Sequence, residues 1–232
     1  MPRSPRVAIG GMVYHVLNRS NARRQILDSP ADYVLFEQVL EQAHQRVAMR
    51  TVAYCPMPNH WHLVLWPRAD GDLSEFMRWL TVTHTQRWHA AAGTAGTGHV
   101  YQGRFKSFPV QTDVHCLRVC RHVERNALRA GLVPRAEDWR WGSLWRRQSG
   151  GAEALLRPGP VGLPEDWLEL VNQPLSQEEL DALRLCANRG RPYGGPIWTK
   201  RTAARLGLAS TLRRRGRPRK EARVAQKATR GS

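Results

Sequence analysis

The chain has 232 residues and a formal charge of +17, from 36 Lys and Arg against 19 Asp and Glu. That length suffices for one domain, or one domain with a smaller appendage, with a core that needs no disulfide. No apolar run approaches the ~18 residues of a membrane span, and residues 1–6 lack the apolar stretch of a secretion signal. The sequence therefore reads as a soluble, intracellular, strongly basic chain whose expected partner is a nucleic acid, with an anionic membrane surface as the weaker alternative.

Residues 12–18, Met-Val-Tyr-His-Val-Leu-Asn, are rich in β-formers and predict a strand. Ser29-Pro30-Ala31-Asp32 opens a helix: a capping hydroxyl, a proline in the first turn and an acid at the positive end. Tyr33, Phe36, Leu40, Ala43 and Val47 follow as one apolar helical stripe. Residues 50–57 and 60–66 read as strands around a Pro58-Asn59 turn, hence a hairpin. Asp72-Leu-Ser-Glu75 resembles a capping box for a helix running to about Ala92. Residues 99–111 contain a further strand, and Thr112-Asp113 can cap a helix along Cys116, Cys120, Val123 and Ala127 that Gly131 ends.

The order strand, helix, hairpin, helix, strand, helix predicts an α+β fold, a ferredoxin-like antiparallel sheet with helices packed on it. The expected organisation is a domain over 1–147, a linker and acidic helical segment over 148–188, and a basic tail over 189–232. The Trp-rich residues 139–145 are expected to pack back on the core, and the Gly/Pro-rich residues 148–163 to act as the linker. Cys55, Cys116, Cys120 and Cys186 lack metal-site spacing and read as buried reduced thiols.

Charge is uneven along the chain. Residues 189–232 hold 14 Lys and Arg and one acid, Glu221, whereas residues 1–188 carry only +4. Arg dominates, which GC-rich codon usage explains; the crowding at one end it does not.

His60-Trp61-His62 is the sharpest motif. On a strand, side chains i and i+2 share a face, so the two imidazoles stand together with Trp61 opposite. Such a pair can share one divalent ion, or can be two half-exposed strand residues. Residues 56–66, Pro-Met-Pro-Asn-His-Trp-His-Leu-Val-Leu-Trp, resemble the His-hydrophobic-His segment of the Y1, or IS200-like, transposases of the HUH superfamily. With Tyr14-His-Val-Leu-Asn-Arg19, Tyr101-Gln-Gly-Arg-Phe-Lys-Ser107, residues 123–133 and Trp139-Arg-Trp-Gly-Ser143, the chain looks most like the REP-associated tyrosine transposases of bacteria.

That resemblance implies a metal-dependent endonuclease and strand-transferase of single-stranded DNA. Its partner would be hairpin DNA such as repeated extragenic palindromes, in the bacterial cytoplasm and nucleoid. His60 and His62 would bind Mg²⁺ or Mn²⁺, with Asn126 completing the site. A tyrosine four residues before Asn126 would attack the phosphorus to give a 5′-phosphotyrosine. This chain has His122 there. Three readings follow: the covalent step is impaired; His122 has a changed role as base or ligand; or another tyrosine, Tyr101 or Tyr14, substitutes. The first is favoured because imidazole is shorter than phenol. The alternative function is a catalytically inactive, sequence- or structure-specific DNA-binding protein.

Arg104, Lys106, Arg121, Arg125 and Arg129 are the expected phosphate contacts of the core. In the tail, Arg213, Arg214, Arg215, Gly216, Arg217, Pro218, Arg219 and Lys220 resemble an AT-hook, with duplex AT-rich DNA as its partner. A generic phosphate-binding tail is the other reading. Residues 196–207 read as a short helix that, with Leu208 and Leu212, could form a small DNA-binding element. The chain is expected to act as a monomer or homodimer, with no membrane partner.

Overall fold

The computed structural model describes residues 8–150 and 155–213. It runs β1 (Val13–Arg19), α1 (Pro30–Arg46), β2 (Met49–Met57), β3 (His60–Pro67), α2 (Asp72–Ala92), β4 (Lys106–Val110) and α3 (Val114–Glu124). The strands form one antiparallel sheet in the order β2-β3-β1-β4, with Leu17 opposite His62 and opposite Lys106. The α+β sandwich expected from the element order is the fold observed.

Strand alternation sorts the core. Tyr14 and Val16 of β1 and Trp61, Leu63 and Leu65 of β3 face α1 and α2 and are buried with Phe36, Leu40, Phe76 and Leu80. Val13 and Val64 face the other way and are buried with Phe108, Cys116, Val119 and Val123. α1 begins as its sequence dictates: Asp32 N–H donates to Ser29 Oγ at 3.3 Å, and Ser29 N–H donates to the Asp32 carboxylate at 2.8 Å. All four cysteines are free and buried.

Several local expectations need revision. α2 is capped by Gly71 in the left-handed region (φ +88°), while the Asp72 carboxylate accepts from the backbone of Arg68 and Ala69. The helix expected to run unbroken to Gly131 stops at Glu124 and restarts as α4 (Asn126–Arg129). The Asn126 amide donates to the His122 carbonyl at 3.0 Å and so competes with the backbone for that acceptor.

The segment read as a linker and acidic helix is packed on the core. After α5 (Ser143–Gln148), Leu155 and Leu156 are buried in the α1–α2 cluster. α6 (Trp167–Asn172) and α7 (Gln177–Arg189) bury Trp167, Val171, Leu183 and Cys186 against the α3 face. A few spaced apolar side chains suffice for this, and acidic composition conceals them. α8 (Pro196–Arg205) follows, joined to the sheet through a parallel bridge from Tyr193 to Val110. No helix among the described residues is long and apolar enough to cross a membrane. The AT-hook-like residues Arg214 to Lys220 lie outside the described residues.

Candidate functional site

Four imidazoles meet on the α3 face of the sheet, at the end where β1 finishes and β3 begins. His60 and His62 project together from β3 with ring centroids 5.0 Å apart, and Trp61 is buried on the opposite face. His122 reaches them from α3, its ring 5.9 Å from that of His62. His15 lies beneath: its Nε2 is 2.9 Å from His62 Nδ1, and the two rings stack at 5.1 Å.

The rings line a cavity of about 790 Å³. Arg19, Arg104, Lys106, Arg129 and Arg184 share its wall, and no carboxylate does among the described residues. Burial drives the imidazoles towards the neutral form, lowering His60 to about 4 and His122 to about 3, with Arg129 adding to both. His15 and His62 are lowered in the same direction and for the same first cause. At neutral pH the positive potential of the cavity therefore comes from its guanidinium and ammonium groups, while the imidazoles keep a lone pair each.

Asn59 Oδ1 lies 2.7 Å from His60 Nδ1 and accepts its proton, because Asn59 Nδ2 is turned to the Arg23 carbonyl at 3.5 Å. This leaves His60 Nε2 as a bare nitrogen, the tautomer a metal ligand needs. Asn126 is fully buried and is not in the cavity wall. Its Oδ1 accepts from Arg129 Nη2 at 2.8 Å and its Nδ2 is on the His122 carbonyl. His15 Nδ1 and His122 Nδ1 are buried without a hydrogen-bond partner among the described residues. No group of three or more His, Cys, Asp or Glu among the described residues is placed to hold a metal. His60 and His62 are two nitrogen donors side by side, short of a full ligand set for an ion by themselves; Asn126 is turned away from them, onto Arg129 and the His122 carbonyl.

The expected phosphate contacts divide. Arg104, Lys106 and Arg129 line the cavity. Arg121 instead donates to the Gln173 and Pro174 carbonyls at 2.9 and 3.0 Å, and Arg125 to that of Asn172 at 2.8 Å. Both cations sit where α6 ends and its carbonyls are unsatisfied. Arg213 is exposed at the edge of the described residues. The sequence reading missed His15, Arg19 and Arg184. His15 carried a signal, since it shares a strand face with Val13; Arg184, brought in by the packing of α7, carried none.

The family model described as "Transposase IS200 like" matches residues 8–126. Among solved structures, the chain is similar to a REP-associated tyrosine transposase bound to a REP hairpin. The TM-score is 0.53 at 17% identity, covering 76% of this chain and 100% of that one. A Deinococcus radiodurans R1 chain assigned as a transposase gives a TM-score of 0.37 at 16% identity, over 56% of this chain and 92% of that one. No curated protein matches the sequence.

Proposed function

The chain belongs to the IS200-like transposase family, and from that premise we propose that it engages single-stranded DNA beside a hairpin in a metal-assisted site whose covalent step is impaired. The observation that carries this reading is the cavity itself. Arg19, Arg104, Lys106 and Arg129, with Arg184 held by Asp181 at 2.9 Å, converge with the His60–His62 pair on one space whose wall holds no carboxylate among the described residues. A phosphodiester is the ligand that such a wall attracts, and its charge would otherwise be repelled by acids.

In this reading Arg104 and Lys106 hold the strand by its phosphates. Arg129, fixed by Asn126 Oδ1, stands where charge develops on the scissile phosphate. Transposases of this family typically use a divalent metal. Here His60 and His62 would hold it, as Mg²⁺ or Mn²⁺, and when bound it would polarise the phosphate oxygens. Asn126 acts through Arg129 and His122 rather than on an ion. Arg121 and Arg125 tie α6 to α3 rather than meet DNA.

The nucleophile is the departure. His122 offers no hydroxyl. Tyr101 cannot stand in, because its hydroxyl is buried between Trp61 Nε1 at 3.0 Å and His84 Nδ1 at 2.8 Å. Nor can Tyr14, whose hydroxyl accepts from Ile9 N–H at 2.9 Å. Catalytically inactive DNA binding is thus the second reading, and His122 is the observation in its favour.

The test uses a labelled DNA hairpin with a single-stranded flank, with Mn²⁺ or Mg²⁺ and with EDTA. His122→Tyr is expected to cleave it and form an EDTA-sensitive covalent adduct, while the unaltered protein binds without cleaving. If neither protein cleaves, the second reading stands. Equal cleavage by both would remove the claim of impairment. The basic tail beyond residue 213 is proposed to add affinity for duplex DNA, AT-rich or otherwise.

A further inference from the structure

α8 is amphipathic, and its outer stripe has no use in the site described above. Thr199, Thr202, Ala203 and Leu206 are buried. Ile197, Lys200, Arg201, Ala204 and Arg205, at the spacings of a single helix face, are exposed, Ile197 by 76%. Residues 189–213 contain six Lys and Arg and no Asp or Glu. None of Lys200, Arg201 and Arg205 has an ion-pair partner among the described residues.

The helix is mounted firmly. Tyr193 N–H donates to the Pro109 carbonyl and Gln111 N–H to the Tyr193 carbonyl, both at 2.9 Å. Gly195 N–H donates to Gln111 Oε1 at 2.9 Å. A Cβ at Gly194 would stand 2.5 Å from the Trp198 ring and 2.6 Å from Gln111 Oε1, so only glycine allows this approach. The mount is the Val110 end of β4, whereas Lys106, at the other end of that strand, lines the cavity. At ~3.3 Å per residue the two are about 13 Å apart along the strand. That is the length of roughly four steps of duplex DNA.

We propose that the outer face of α8 is a second DNA surface, which holds the phosphate backbone of a duplex stem while the strand leaving that stem enters the histidine cavity. This rests on the proposed single-strand site but uses different residues. Duplex DNA suits the face better than a second copy of the chain, since a two-fold contact would set Lys200, Arg201 and Arg205 against their own equivalents. Arg189 Nη2 donates to the Ser210 carbonyl at 3.4 Å, so the chain returns from α8 to the end of α7 before residue 213.

The experiment is fluorescence anisotropy with the full chain on a blunt DNA duplex and on an unstructured single strand, over a salt series. Lys200→Gln with Arg201→Gln is expected to weaken duplex binding about tenfold. It should also flatten the log–log salt slope by about 1 to 2, because two phosphates are no longer neutralised. Its single-strand binding should not change, which also reports that the variant is folded. Arg104→Gln with Lys106→Gln should do the reverse, and its failure would count against the single-strand site alone. The proposal is overturned if the α8 variant keeps wild-type duplex affinity and slope. It is equally overturned if that pair of substitutions abolishes binding to phosphatidylserine vesicles but not to duplex.

Discussion

The Trp61 indole N–H donates to the Tyr101 hydroxyl at 3.0 Å, so the phenolic proton goes to His84 Nδ1, 2.8 Å away. That fixes the His84 tautomer with its proton on Nε2, an atom without a partner among the described residues. Burial lowers His84 to about 4, against the opposing pull of Asp32. His44, between the Met49 carbonyl and Thr51 Oγ1, is likewise lowered to about 4 by burial. Unfolded imidazoles titrate near ~6.5, so below that pH the unfolded chain takes up protons the folded one refuses. Stability is therefore full above about pH 6.5 and falls as pH drops towards 4. Thermal unfolding between pH 7 and 4 should show the fall, and His84→Gln, which keeps an acceptor for Tyr101, should reduce its slope. An unchanged slope would mean that His84 is not among the groups responsible. The same scale shows what a residue pattern reveals. His60 and His62 were legible because alternation is a backbone property. The stacking of His15 on His62, and the turning of Asn126 onto Arg129, depend on rotamers and neighbours that spacing does not encode.

Helix starts were legible for a similar reason. Ser29, Pro30 and Asp32 act within one turn, so their effect is written locally, whereas the burial of α6 and α7 depends on a surface built by α3 and β4, far outside any local window. Glu124 joins those distant elements. It is buried, with Oε1 accepting from Ser143 Oγ at 2.6 Å and Arg147 Nε at 3.2 Å, and Oε2 accepting from Trp167 Nε1 at 2.7 Å. Ser143 Oγ accepts in turn from Tyr54 N–H of β2 at 3.0 Å. One carboxylate thus binds α3 to α5, α6 and the sheet, a role that no spacing in the sequence announces beside the more conspicuous His122 and Asn126. Glu124→Ala would leave the Arg147 guanidinium and the Trp167 indole short of an acceptor, at a cost of about 3 to 5 kcal/mol. In a chain of this size that lowers Tm by about 10 °C. Glu124→Gln, which keeps an acceptor oxygen, should cost less. A loss below about 1 kcal/mol in the Ala variant, by denaturant unfolding, would show that water replaces these bonds.

At the scale of the molecule, the charge and the fold divide the chain at different places. Composition suggests a boundary near residue 148, but Leu155, Leu156, Trp167, Val171 and Leu183 belong to the buried clusters on the two faces of the sheet. A chain ending at 150 would expose those faces, at roughly 25 cal/mol per Å² of apolar area, and is expected to lose cooperative unfolding. Ending at 213 takes no residue from either cluster. It removes eight of the 36 Lys and Arg and one of the 19 acids. The shortened protein should keep the Tm of the full chain and bind DNA more weakly. Its log–log salt dependence should be shallower by ~0.9 for each phosphate that the tail neutralises in the full chain. The His60–His62 cavity and the α8 face both lie within 8–213, so hairpin recognition should persist at low salt and fade first as salt rises. If the chain ending at 213 shows the same affinity and slope as the full one, the tail is solvated charge, and residues 8–213 alone account for DNA binding.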